Sequence, residues 1–258
     1  MENVKIQFLG TCACDFSPKL ETEFKNCFDK DARRSSSMLI NDNILVDCGT
    51  HTLESLDIVK IPYEQITDIL ITHTHDDHFI PENIEKIAKN RHVPLRLWIR
   101  EDASVPEIAN IEVVRMKLLK KYELYGITAT GVPANHDQRT APQHLLIEFG
   151  NKKVYYACDG GWITCEAYNY ICGAKLALMV IDATIGDYEG DYRAVEHNSI
   201  SMIRHMLPTL KTNQIIDENT KIYLSHIAPS LHKSHEETEK IAQEFGAYVA
   251  YDGLTLEI

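Results

Sequence analysis

The chain has 258 residues, of which 26 are basic and 38 acidic, for a formal net charge of −12 with histidine neutral. Hydrophobic residues at 44% and charged residues at 25% are ordinary for a globular protein and exclude a disordered or fibrous chain. The negative field disfavours RNA and anionic membrane surfaces as partners, and no window approaches the roughly 20 apolar residues of a membrane span.

The opening MENVKIQFLG has an acidic residue at position 2 and no apolar stretch of signal-peptide length, and the seven cysteines are an odd number. Both features predict a cytoplasmic protein. A β-rich run covers 4–10. Residues 11–37 lack periodicity, carry three cysteines and the pair Arg33-Arg34, and read as a long functional loop. Strands are predicted at 43–49, 68–73, 94–99 and 111–118, with helical patterning at 51–59 and 81–90. The runs 144–150 and 152–158 are joined by Gly150-Asn151, a tight hairpin signal. A nearly all-apolar strand at 174–182, a helix at 199–207 and a strand at 221–226 follow. The last helix, 234–245, opens on Ser234 and Glu237 as a capping box and closes at Gly246, before a final strand at 254–258. Ten strands suggest two sheets, and helices falling between them predict an α/β protein of sheet layers flanked by helices. No linker or repeat divides the chain, so one domain over 1–258 is expected.

The strongest chemical signal is Thr72-His73-Thr74-His75-Asp76-Asp77-His78, directly after the apolar run DILI. Three imidazoles and a carboxylate in the order H-x-H-x-D-H suit a divalent transition metal. Further candidates stand at strand exits. His136 follows a short β-like segment, Asp159 follows VYYAC, and His226 ends IYLS. Donors of nitrogen and oxygen type admit manganese, zinc or iron without choosing among them.

With FLGT (8–11), ILVDCG (44–49), THTHDDH (72–78), ANHD (134–137), ACDG (157–160) and LSHI (224–227), the chain resembles the metallo-β-lactamase fold superfamily over nearly its full length. The resemblance implies an αββα four-layer sandwich, two mixed sheets flanked by helices, with a site for two divalent metal ions at one sheet edge. It implies that His73, His75 and His136 hold one metal, that Asp77, His78 and His226 hold the other, and that Asp159 bridges them. Phe79-Ile80-Pro81 departs from the pattern, since many relatives carry a glycine two places after the motif. Two divalent cations against two carboxylates and a bridging hydroxide leave a net positive site that attracts an anion. Phosphodiester hydrolysis by that hydroxide is the natural chemistry.

His197, in EHNSISMI at the head of a predicted helix, sits where phosphodiesterases of this superfamily carry a histidine that meets phosphate and protonates the leaving oxygen. FLGT, the arginine pair before SSSMLI, VIDATIGD (180–187) and the ending YDGLTLEI resemble the PhnP type, which hydrolyses a phosphoribosyl cyclic phosphate in phosphonate breakdown. Transfer RNA 3′-processing ribonucleases share FLGT, the ligands and the helix-head histidine. They grip RNA with a basic, glycine-rich arm, and no such arm stands between Asp159 and His226. A small, cyclic sugar phosphodiester is therefore the expected substrate. The alternatives are a processing nuclease, a thioesterase or lactonase on the same fold, and a metal-binding sensor.

Arg33 and Arg34 either clamp a substrate phosphate bidentately or form a solvated basic pair. Cys12, Cys14 and Cys27 fall in the loop where PhnP-type enzymes hold a structural zinc, here with altered spacing. They are read either as ligands of a third metal, completed by His232 or His235, or as free thiols. Trp162 either walls the pocket or packs in the core. The expected partners are a small phosphorylated sugar and, left open, a second copy in a homodimer, with no membrane and with nucleic acid disfavoured.

Overall fold

Alternating apolar side chains give each strand two faces to bury, and the strands pair into two seven-stranded sheets in the computed structural model, which describes residues 4–89 and 91–258. The first sheet runs β14 (Thr255–Glu257), β1 (Lys5–Gly10), β2 (Ser37–Ile40), β3 (Ile44–Val46), β4 (Asp68–Leu70), β5 (Leu95–Arg100) and β6 (Ile111–Met116). The second runs β13 (Tyr248–Val249), β12 (Lys221–Ser225), β11 (Leu178–Asp182), β10 (Lys152–Ala157), β9 (Gln143–Phe149), β8 (Ile127–Pro133) and β7 (Lys121–Leu124). Each sheet is mixed: β3 to β6 and β10 to β13 are parallel, and the rest pair antiparallel.

Three apolar clusters define four layers. Between the sheets, Phe8, Met38, Val46 and Leu70 of one face Leu145, Ile147, Val154 and Val180 of the other. On the outer face of the first sheet, Leu39, Leu45 and Leu97 pack with Leu56 of α1 (Thr52–Ile58) and with Ile84 and Ile87 of α2 (Pro81–Ala88). On the outer face of the second, Met179 and Ile181 meet Ile171 of α3 (Cys165–Ile171), Ile203 and Leu207 of α4 (Ile200–Thr212), and Ala242 of α5 (His235–Gln243). The expected αββα sandwich is therefore the observed architecture. β11 is apolar throughout because Leu178 and Val180 face one core while Met179 and Ile181 face another.

The Gly150-Asn151 hairpin forms, with Phe149 opposite Lys152, and Ser234 caps α5 reciprocally with Glu237. Three strands, β2, β7 and β13, and the helix α3 escaped the sequence reading, and β8 was read only as a short β-like segment before His136. β13 has two residues, and β7 and β8 carry lysine, threonine and glycine, so neither yields an apolar run. The all-apolar stretch contributes a strand only from Leu178. α4 continues past Pro208 because Leu210 extends its buried face onto the sheet. Asn90, at the end of the second predicted helix, and the opening Met1–Asn3 lie outside the described residues. Among the described residues, no helix is long and apolar enough to cross a membrane.

Candidate metal centre

In sheets with parallel strands, ligands collect beyond the carboxyl ends of the strands, and here those ends supply the site. β4 leads to His73, β10 to Asp159, β11 to Asp182 and β12 to His226, while antiparallel β8 delivers His136. Asp159 and His226 leave their strands at φ of +59° and +57°. This left-handed conformation is uncommon outside glycine, and it turns the chain sharply at each strand end.

The turns bring the seven expected ligands together in two groups that share Asp159: His73, His75 and His136 on one side, and Asp77, His78 and His226 on the other. His73 Nε2 lies 3.2 Å from Asp159 Oδ2, and His136 Nδ1 lies 3.3 Å from Asp159 Oδ1. His78 Nε2 and His226 Nε2 each lie 3.4 Å from Asp159 Oδ2. Asp77 Oδ2 stands 3.3 Å from His78 Nε2 and 3.5 Å from His226 Nε2.

Carboxylates behind the cluster set the tautomers. His78 donates Nδ1–H to Asp47 Oδ2 at 2.8 Å, and Asp47 also accepts from the Thr72 amide and hydroxyl. His226 donates Nδ1–H to Thr184 Oγ1 at 2.7 Å, with Asp182 Oδ2 at 3.2 Å, and the Thr184 hydroxyl itself donates to Asp182. Each imidazole therefore turns a lone pair on Nε2 inward, and these two nitrogens lie 3.3 Å apart beside two carboxylates. Such a shell of acceptors repels itself unless a cation lies among them, and carboxylate-backed histidines are the usual means of fixing metal ligands. The donor set thus fits divalent metal binding.

The same carboxylates favour positive charge at this centre, carried by protons on His78 and His226 until a cation displaces them. Burial opposes charge on His78 and His226, yet Asp77 and Asp47 around the first, and Asp159 and Asp182 around the second, hold both well above the usual histidine range. Burial would likewise raise Asp77 and Asp159, but the surrounding imidazoles keep both well below the usual carboxylate range. His73, pulled down by burial and then by His78 to about 3, stays neutral and available as a ligand.

The loop carrying Asp77 rests on Gly49. A Cβ there would stand 1.8 Å from the Asp77 carbonyl oxygen and 2.2 Å from its carbonyl carbon, so no side chain fits unless the loop moves. Gly49→Ala is expected to cost about 1–3 kcal/mol of stability and to weaken metal retention. Thermal melts with and without added zinc check both. The departure at Phe79-Ile80-Pro81 is accommodated nearby. Phe79 bridges to Cys48, and Pro81 occupies the first turn of α2, where its missing N–H costs nothing.

His197 stands at the same centre. Its Nδ1 lies 3.1 Å from Asp182 Oδ2 and 3.2 Å from Asp159 Oδ1, and its side chain is 15% exposed, against 3% or less for His73, His78, His136 and His226. Burial pulls its pKa down, but the charges of Asp182 and Asp159 outweigh that and raise it. A cavity of about 200 Å³ opens over this group, with Cys14, Asp15, Arg193 and Glu196 completing its wall. Asp47 and Asp182, missed as functional residues, stand after the apolar strands ILV and MVI as Asp159 stands after VYYA, so the same signal marks them. Arg193 had no such signal.

Two expectations are corrected. Arg33 and Arg34 do not face this cavity and are buried, not solvated. Arg34 donates to the carbonyls of Phe24, Lys25 and Cys27, clasping the long loop, and Arg33 donates to Thr11, Ala250 and His235. Loop closure consumes the Arg34 donors that a phosphate clamp would need, and Arg33 lies against a different cavity. Nor do Cys12, Cys14 and Cys27 converge on a third metal site among the described residues. Cys12 is buried, Cys14 lies at the cavity over the candidate metal centre, and Cys27 is exposed, while His232 donates to Ala183 O and His235 accepts from Arg33. Trp162 is 44% exposed, outside both core and cavity wall. His144, buried against the Tyr155 hydroxyl, is structural.

Two sheets closed by outer helices, with a histidine–aspartate centre at the carboxyl ends of their strands, define the metallo-β-lactamase fold, and the chain has that fold. It superposes along its whole length on the metallo-β-lactamase fold protein YhfI from Bacillus subtilis, with a TM-score of 0.78 at 15% identity and full coverage of both chains. It is similar also to a diphosphatase from the PhnP family, with a TM-score of 0.74 at 19% identity, covering 100% of this chain and 98% of that one. In sequence, ribonuclease Z of Borreliella burgdorferi (strain ZS7) is 30% identical over 147 residues, 54% of this chain and 43% of that protein's length. The matched region thus spans less than half of that relative. Residues 25–93, which include the H-x-H-x-D-H motif, match the family described as Anti-Pycsar protein Apyc1.

Proposed function

We propose that the protein is a phosphodiesterase using two divalent cations, zinc or manganese, to hydrolyse a small phosphodiester, a cyclic sugar phosphate in particular. The observation that carries this reading is the place of His197, held by Asp182 at the edge of the ligand cluster and open to the cavity. His73, His75 and His136 would hold one cation, and Asp77, His78 and His226 the other, with Asp159 between them. When bound, the cations supply a water nucleophile at neutral pH and neutralise charge on the phosphoryl oxygens. Asp182 fixes the ring of His197 through Nδ1, so Nε2, at the ring's other edge, is the atom that delivers a proton to the departing oxygen. Arg193, oriented by a two-pronged ion pair with Asp191, stands in the cavity wall, where it would meet a substrate phosphate.

The volume of about 200 Å³ falls below the range of roughly 300–1,000 Å³ usual for drug-sized ligands, and the net charge of −12 opposes a polyanion. Both favour a small substrate. The similarity to ribonuclease Z supports a second reading, a nuclease acting on transfer RNA precursors. Turnover assays with bis(p-nitrophenyl) phosphate, a five-membered cyclic sugar phosphate, a thioester and a precursor transfer RNA separate these cases. Hydrolysis of the cyclic phosphate without cleavage of the RNA is expected. RNA cleavage at comparable kcat/KM would establish the nuclease, and thioester turnover alone would remove both.

A further inference from the structure

Arg33 is 2% exposed, and its three hydrogen bonds go to neutral acceptors: Nη1 to Thr11 Oγ1 and Ala250 O, and Nη2 to His235 Nδ1. Among the described residues, no carboxylate oxygen lies within 4.0 Å of its guanidinium. A buried cation without a directly paired counter-charge is costly, and the charges of Asp252, Asp31 and Asp29 offset the burial of Arg33 only in part. Asp252 is reached only through the Thr11 hydroxyl, which donates to it at 2.8 Å. Three bonds leave two of the five guanidinium N–H groups for another partner.

Arg33 borders a cavity of about 260 Å³, distinct from the catalytic one, together with Lys233, His232 and His235. Asp31 is the acidic residue in its wall, and Asp31 Oδ1 is already engaged by the His235 amide at 2.6 Å. The first turn of α5 closes one side, its leading amides already engaged by Asp31 and Ser234. The two cavities lie on either side of one segment: His226 and Ala228 face the catalytic side, while Ile227 and Pro229 face this one.

We propose that the Arg33 cavity is a second anion site, taking a small oxyanion of the phosphate class. Arg33 presents a guanidinium from the buried floor, and Lys233 presents an ammonium from the exposed rim. Donors converging from different elements match a tetrahedral oxyanion, which offers acceptors in several directions, better than a planar carboxylate. A dianion would also supply a direct ion-pair partner, where Asp252, Asp31 and Asp29 act on Arg33 only from a distance. The site does not depend on the reaction at the metal centre.

Crystals of the metal-loaded enzyme soaked in sodium tungstate test this, because anomalous maps read the two cavities separately. A tungstate peak within hydrogen-bond distance of Arg33 is expected, displaced by inorganic phosphate and not by acetate. Calorimetry should show affinity for phosphate at this site reduced about tenfold or more by Lys233→Glu, a rim substitution that spares the fold, with kcat unchanged. Arg33→Met should abolish binding if it folds, but Lys233→Glu decides the question without it. An empty Arg33 cavity at millimolar tungstate, equal displacement by acetate, or unchanged affinity in Lys233→Glu overturns the proposal.

Discussion

Replacing Asp159 by alanine is expected to lower turnover by about 10³-fold or more and to reduce the metal content of the purified protein. The reason is geometric. Asp159 Oδ2 lies 3.2–3.4 Å from the ligand nitrogens of His73, His78 and His226, while Oδ1 faces His136 and His197. No other side chain belongs to both ligand groups. Its loss removes the shared negative charge from both cations, worth several kcal/mol in such a site. It would also leave the two proposed cations to repel one another with no carboxylate between them. Elemental analysis beside kinetics decides the matter: two tightly held metals with wild-type turnover would remove the bridging role.

His197→Ala is expected to separate substrates by their leaving groups. A sugar alkoxide departs poorly without a proton, whereas p-nitrophenolate leaves unaided. The loss should therefore be roughly 10²–10⁴ in kcat/KM on a cyclic or alkyl phosphodiester and much smaller on bis(p-nitrophenyl) phosphate. Because Nδ1 of His197 is 3.2 Å from Asp159, metal content must be measured on the same preparation. Equal losses on both esters with full metal would reduce His197 to a binding residue. Asp182→Asn should follow the same substrate pattern more weakly, since it orients the ring and does not itself carry the proton.

The layered α/β architecture and the side chains that gather at the candidate metal centre were legible in the chain. Ligand chemistry resides in residue type, and each ligand stands just after an apolar strand or in the H-x-H-x-D-H run, so local order alone places it at a strand exit. The same local order marked Asp47 and Asp182, but their task of holding Nδ1 of His78, His226 and His197 depends on partners up to 44 positions away and could not be read from spacing.

Charge and thiol content were visible, but not what the charges face. Arg33 and Arg34 are adjacent cations in any reading of the sequence. Folding sets Arg33 against His235, 202 positions on, and the Arg34 amide against Asp252, 218 positions on. It thereby turns a candidate substrate clamp into a loop clasp and a buried cation beside a second cavity. Cys12, Cys14 and Cys27 diverge for the same reason. The long loop is routed by the carbonyls that Arg34 engages and by the bridges from Cys12 to Ser35 and Ile227, which leave the thiols pointing to different environments. Residue type and strand periodicity act over a few positions and determined the layers and the donor atoms. Burial, and which atom meets which across two hundred residues, arise only when the sheets pack, and that packing decided the roles of the arginines, the cysteines and the supporting aspartates.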